Sequence, residues 1–138
     1  MGLICALGEF SEEFFRLVKD FPVVAVERLS RIDCGECAVV LGRDFSGDLR
    51  GVIGAVSGVI ASEEYSGSVP RGVQFITCGI SHKNAVSVTS RTEERLILSL
   101  NRSLRTKNGV VEPLEYPVPA LGDEYELMAA FAVKLLLG

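Results

Sequence analysis

The sequence predicts an α/β domain of three layers: a mostly parallel sheet with helices on both faces, then a small antiparallel three-strand meander before a C-terminal helix. Three observations carry this expectation. Val23-Val24-Ala25-Val26 and Ala38-Val39-Val40-Leu41 are apolar without alternation, as strands covered on both faces are. Helix signals stand between such runs, the arrangement that gives a layered parallel sheet. After Gly79 the pattern changes to apolar/polar alternation at period two, the mark of strands with one dry face.

Taken in order, Gly2 to Leu7 is a short apolar run suited to a buried strand. Ser11 is a helix cap, with Glu12 and Glu13 in the favourable first turn and Phe10 and Phe15 at hydrophobic-staple spacing. Phe14, Leu17, Val18 and Phe21 form the inward stripe of this helix, which Pro22 ends. Strands at 23–26 and 38–41 follow, separated by a loop over 30–36. Residues 47–64 read as a long glycine-rich helix, although each glycine costs about 1 kcal/mol relative to alanine. Gly51, Gly54 and Gly58 then share one face, which suits either tight packing on the sheet or a close seam between two copies of the chain.

Val73 to Cys78 is the next strand, and Gly79 ends it. Val86 to Ser90 and Leu96 to Asn101 alternate, and Asn108-Gly109 predicts a two-residue type I′ hairpin turn. Val110 to Val118 is the third run of the meander; Pro113 and Pro117 lack amide donors and assign it to a sheet edge. Asp123 caps the closing helix, with Glu126 at capping-box spacing. Leu127, Met128, Phe131, Ala132 and Leu135 make its core-facing stripe.

The order just described ends in Gly122-Asp123-Glu124-Tyr125-Glu126-Leu127-Met128-Ala129-Ala130-Phe131-Ala132. Together with the strand that stops at Cys78-Gly79 and the Pro-rich approach, this half of the chain resembles the end of the central domain of Mur ligases and folylpolyglutamate synthases. Those families introduce the closing helix with Gly-x-His-Asn-x-x-Asn and continue with Ala-Ala-x-Ala. Aligned on Ala129-Ala130, the family's His falls on Gly122, its first Asn on Asp123 and its second on Glu126, so none of the three is kept. Those groups belong to the nucleotide site, and the resemblance therefore implies shared scaffold without shared chemistry.

The rest of the family's machinery is also missing from the sequence. No Gly-x-x-x-x-Gly-Lys-Ser/Thr occurs, and this is the loop that holds triphosphate and metal. The chain stops at the closing helix, where the family continues into an amino-acid-binding domain. ATP-driven ligation is accordingly not expected, and no cofactor is.

Two constellations carry other chemistry. Cys34-Gly35-Glu36-Cys37 has the spacing of a redox dithiol or of half a zinc site. A redox pair wants its first thiol at a helix start, whereas this pair precedes a strand. Zinc needs two more ligands from Cys5, Cys78 or His82, the one histidine; Cys5 and Cys78 lie in apolar strands and read as small core residues. The second constellation is Gly79, Ser81, His82, Lys83 and Asn84, after a strand's carboxyl end, where α/β sheets hold ligands. It suits an anion or a nucleotide-sugar-like ligand, or simply a solvated turn. The adjacent pairs Glu63-Glu64, Glu93-Glu94 and Asp123-Glu124 face different ways on regular elements and read as solvated surface.

The whole chain of 138 residues is expected to be one domain. Its 48% apolar and 23% charged residues are an ordinary globular balance. With a net charge of −4 and no basic stripe, nucleic acid is not an expected partner. No apolar run is long enough to span a membrane, Met1 to Leu7 lacks a basic leader, and a cytoplasmic location is expected. The reading that follows is a non-catalytic binding or assembly module, self-associating, with a cell-wall link through the resemblance alone. A thiol or zinc protein using Cys34 and Cys37, and a small-ligand binder at residues 79–84, are the alternatives.

Overall fold

In a computed structural model that describes residues 2–26, 32, 34–51 and 53–138, the unalternating apolar run 38–41 lies buried in the middle of one sheet. Because no described strand pairs beyond it, the run 23–26, expected to be covered on both faces, is instead the half-exposed edge of that sheet. Its strands in chain order are β1 (Leu3–Leu7), β2 (Val23–Val26), β3 (Cys37–Leu41), β4 (Gly58–Ser62), β5 (Phe75–Gly79), β6 (Val86–Arg91) and β7 (Arg95–Leu100). Two short strands, β8 (Leu104–Thr106) and β9 (Gly109–Val111), pair only with each other, and β10 (Leu114–Pro119) returns to the main sheet. The eight-stranded order is β10-β7-β6-β5-β4-β3-β1-β2. From β2 to β6 the neighbours are parallel; β6, β7 and β10 are antiparallel. Every residue of β3 and β4 is buried, as continuous apolar strands in a covered parallel sheet should be.

Among the described residues there are two helices, α1 (Glu12–Leu17) and α2 (Glu124–Leu137), and both pack on the same face. Phe14 and Val18 of the α1 region and the buried positions of α2 share one apolar cluster with Ile4, Val40, Ile60 and Ile76. The opposite face, Cys5, Leu7, Val39, Leu41, Val59 and Ala61, is covered by Leu49, Ile53, Phe45, Tyr65 and Val69 from loops. Helices on both faces were expected; the second layer consists instead of two loops clasped together. The Tyr65 hydroxyl donates to the Gly47 carbonyl at 2.6 Å, Leu49 N donates to Ser68 O at 2.9 Å, and Phe45 stacks on Tyr65.

The long helix expected over 47–64 is therefore absent. Residues 58–62 are β4, held between β3 and β5, and the described residues of 47–57 form no helix. Three glycines already weakened a helix there, and Val59-Ile60 suits a strand better once partners exist on both sides. The shared face of Gly51, Gly54 and Gly58 goes with the helix. Gly51 sits in an exposed turn, and Gly54 N donates to Ile32 O at 2.6 Å. Gly58 is buried in the sheet, where a Cβ would come within 3.0 Å of Leu136 Cδ2 of α2.

Smaller corrections have local causes. The helix expected to run to Phe21 ends at Leu17; from there the chain reaches Pro22 through tighter turns, Lys19 N donating to Arg16 O and Phe21 N to Val18 O. The meander's third run splits at Pro113 into β9 and β10. The β8–β9 turn is not type I′: no described non-glycine residue has positive φ, and Gly109 alone carries it, at 120°. The edge position read from the prolines is observed in β10. The stripe on α2 proved too narrow, since positions 125–133 and 136 are all buried, as in a helix apolar all round.

Parallel neighbours normally need a crossover of a dozen residues or more. β5 and β6 are joined by six, 80–85, because they pair only at Cys78↔Val86 and Gly79↔Ser87. β6 continues where β5 stops, displaced sideways by one strand. That step forms the loop 80–85 at the carboxyl edge of the parallel strands.

Candidate functional site

The carboxyl ends of β3, β4 and β5 meet the start of α2, the edge at which open α/β sheets hold ligands. Arg43 follows β3, Glu63 and Glu64 follow β4, and Gly79 ends β5; with Glu124 and Tyr125 they line a crevice of about 170 Å³. Two of its charged groups, Arg43 and Glu124, are already in ion pairs. Arg43 Nη2 lies 2.9 Å from Asp123 Oδ1, with its guanidinium carbon 5.8 Å from the Tyr125 ring centroid. Arg91 donates through Nε and Nη2 to the two Glu124 oxygens at 2.8 and 2.9 Å, which holds the Glu124 carboxyl below its usual range. The Tyr125 hydroxyl donates to the Leu41 carbonyl, and burial raises its pKa well above the ordinary tyrosine value.

The α2 start is consequently a poor seat for phosphate. A helix N-terminus attracts anions, but here Asp123 accepts from Glu126 N at 3.1 Å and Glu124 and Glu126 stand in the same first turn. A further anion would meet three carboxylates. Glu126 does not close the expected capping box on Asp123. Its carboxylate reaches across to α1, accepting from Ser11 N at 2.9 Å and from the Ser11 hydroxyl.

The loop from Gly79 to Asn84 lies at this edge, as the sequence suggested, but its polar groups serve the loop itself. Asn84 is buried and donates to Glu63 Oε2 at 2.8 Å and to Ser81 O at 2.9 Å. Ser81 Oγ accepts from Lys83 N at 3.2 Å, and Asn101 Nδ2 donates to Asn84 O at 3.0 Å. Of the five candidates only Gly79 lines the crevice; Ser81, His82 and Lys83 point to solvent. Sequence reading missed Arg43 and Tyr125, whose signal was their place at a strand end and in a helix first turn.

The cysteines are arranged differently from the Cys-x-x-Cys reading. Cys34 and Cys37 share a turn, Cys37 N donating to Cys34 O at 3.1 Å, and Cys37 opens β3. The contact of sulfur with sulfur is between Cys37 and Cys5, at 3.0 Å, in a buried position read as plain core. Cys78 is fully buried, which raises its pKa. Among the described residues no group of three His, Cys, Asp or Glu is placed to hold a metal ion.

A second concavity, of about 250 Å³, is mostly apolar. It lies between β10, α2 and the end of α1, and Leu17, Tyr116, Val118, Leu127 and Phe131 line it. Leu121 stands at its rim with 66% of its surface exposed, and Tyr116 is 55% exposed. Nothing in the periodicity marked this groove; the signal was apolar residues interleaved with prolines on an edge strand. No family model, curated protein or solved structure matches the chain.

Proposed function

We propose that the chain is a non-catalytic binding or assembly module on a Mur-ligase-like scaffold, which pairs with a second copy of itself through the groove beside β10. One observation carries this reading: the largely exposed Leu121 is part of the wall of an apolar hollow and shares its patch. A two-fold interface uses the same surface on both partners, so a knob and a hole side by side are what it requires. Exposed apolar clusters of this kind mark association surfaces. The paired and acidic crevice favours binding over turnover, and the missing triphosphate loop points the same way. A link to cell-wall metabolism rests on the resemblance alone.

The pairing works through side chains. Ala120 N–H faces the sheet, donating to Glu94 O at 3.0 Å, so by alternation Glu115, Pro117 and Pro119 turn outward. Two of those three positions have no N–H, and strand addition there lacks donors. Light scattering on the purified chain is expected to give a dimer at micromolar concentration. Leu121→Asp is expected to give a monomer with an unchanged circular dichroism spectrum. A wild-type chain that stays monomeric to high concentration overturns the proposal, as does a dimer indifferent to Leu121→Asp.

A further inference from the structure

Cys5 and Cys37 lie on neighbouring parallel strands and on the same face. The register sets Leu3 opposite Cys37 and Cys5 opposite Val39, which makes the two cysteines diagonal neighbours. Their sulfurs are 3.0 Å apart, inside ordinary sulfur–sulfur contact and about 1 Å from a covalent bond. A third thiol, Cys34, packs half-buried against the same apolar cluster.

We propose that Cys5 and Cys37 are a peroxide-reactive dithiol that closes to a disulfide between β1 and β3. The Cys5 thiolate attacks one oxygen of a hydroperoxide; the S–O bond forms, the O–O bond breaks, and the departing oxygen leaves as alcohol or water after taking a proton. Cys37 Sγ then attacks the Cys5 sulfur, the S–S bond forms, and hydroxide leaves with the Cys37 proton as water. Two thiols and one hydroperoxide become one disulfide, one alcohol and one water, and the two electrons pass to the peroxide.

The division of roles follows from the contact. Cys37 donates its S–H to Cys5, which lowers the Cys5 thiol below the ordinary value and favours its thiolate; the same bond, with burial, raises Cys37. Thiolate character makes a cysteine reactive, and of the two it is Cys5 that the contact shifts towards it. Hydrogen peroxide is scarcely larger than water, so the 6% exposure of Cys5 suits it better than a bulky disulfide oxidant. Loops rather than a helix cover this face, and Cys5 lies beneath them.

The test uses the whole chain and hydrogen peroxide as the probe. Native protein is expected to lose two of its four thiols, recovered on reduction, with peptide mapping under non-reducing conditions finding Cys5 joined to Cys37. Cys34→Ser is expected to keep that cross-link. Cys37→Ser is expected to lose it and to leave a sulfenic acid on Cys5 that a dimedone probe traps. A cross-link between Cys34 and Cys37 instead, or thiols that resist peroxide in the native state but not when denatured, overturns the proposal. The wild-type map decides the matter by itself should a buried-cysteine variant fail to fold.

Discussion

Glu126 shows how far one side chain can reach beyond its own element. It is 9% exposed, and its carboxylate holds both the amide and the hydroxyl of Ser11. Ser11 in turn caps α1, accepting from Phe14 N at 3.4 Å, so the first turns of both helices meet at one bond cluster. Removing the carboxylate leaves half-buried donors on Ser11 unmet, a loss of about 1 kcal/mol or more. Glu126→Ala is therefore expected to lower the urea midpoint by that amount, with Glu126→Gln falling between it and wild type. Equal midpoints for all three would show that the cross-helix bond adds nothing. The sequence made Glu126 legible as a cap partner because the box motif is local. Its actual partner lies 115 residues away, and no spacing rule reaches that far.

At the scale of elements, the runs whose character is set by their own residues were legible: β1, β2, β3, the capped start of α1, the alternating β6 and β7, and α2. What failed was 47–64, where weak helix propensity was weighed without knowing that β3 and β5 would flank Val59 and Ile60. Neighbours in space decided it. The loops that cover the Cys5 face were equally hidden, because their apolar residues, Phe45, Val56, Tyr65 and Val69, follow no period.

The prolines of β10 give an element-level prediction. Pro117→Thr with Pro119→Thr restores two outward N–H groups without touching the bonds that Ala120 and its inward neighbours make to the sheet side. Exposed edges with a full row of donors recruit other strands. The double variant is expected to form larger assemblies on incubation, read by light scattering, and to bind a cross-β dye. If it keeps the wild-type size, the prolines are not what guards that edge.

For the whole molecule, the order of strands turns back between β1 and β3: the chain places β2 on one side of β1 and everything later on the other. The two strand ends are drawn tightly together at that point. Gly42 N donates to Leu7 O at 2.6 Å, Glu9 N donates to Asp44 Oδ1 at 3.0 Å, and a Cβ on Gly42 would sit 2.9 Å from both Glu9 N and Glu9 O. Backbone cannot step aside as a side-chain tip can. Gly42→Ala is expected to cost about 1–3 kcal/mol of global stability by crowding, measured by denaturant unfolding. A neutral result would mean that the β1–β3 junction yields more than its close packing suggests. The layered α/β class was legible because an unalternating run such as β3 implies cover on both faces. Yet β2, with the same pattern, is a half-exposed edge, and what supplies the cover is a matter of long-range packing. The crevice and the groove were unreadable for the same reason: each is walled by residues from three or more elements.

The two margins of the sheet are unlike. β10 offers almost no donors along its outer side, whereas β2 at the other margin contains no proline and has Val24 47% exposed. A ribbon can lengthen without limit only when both borders accept a newcomer. By strand addition alone, a sheet with one sealed border joins border to like border and halts at a pair, so this asymmetry stops one continuous ribbon from growing.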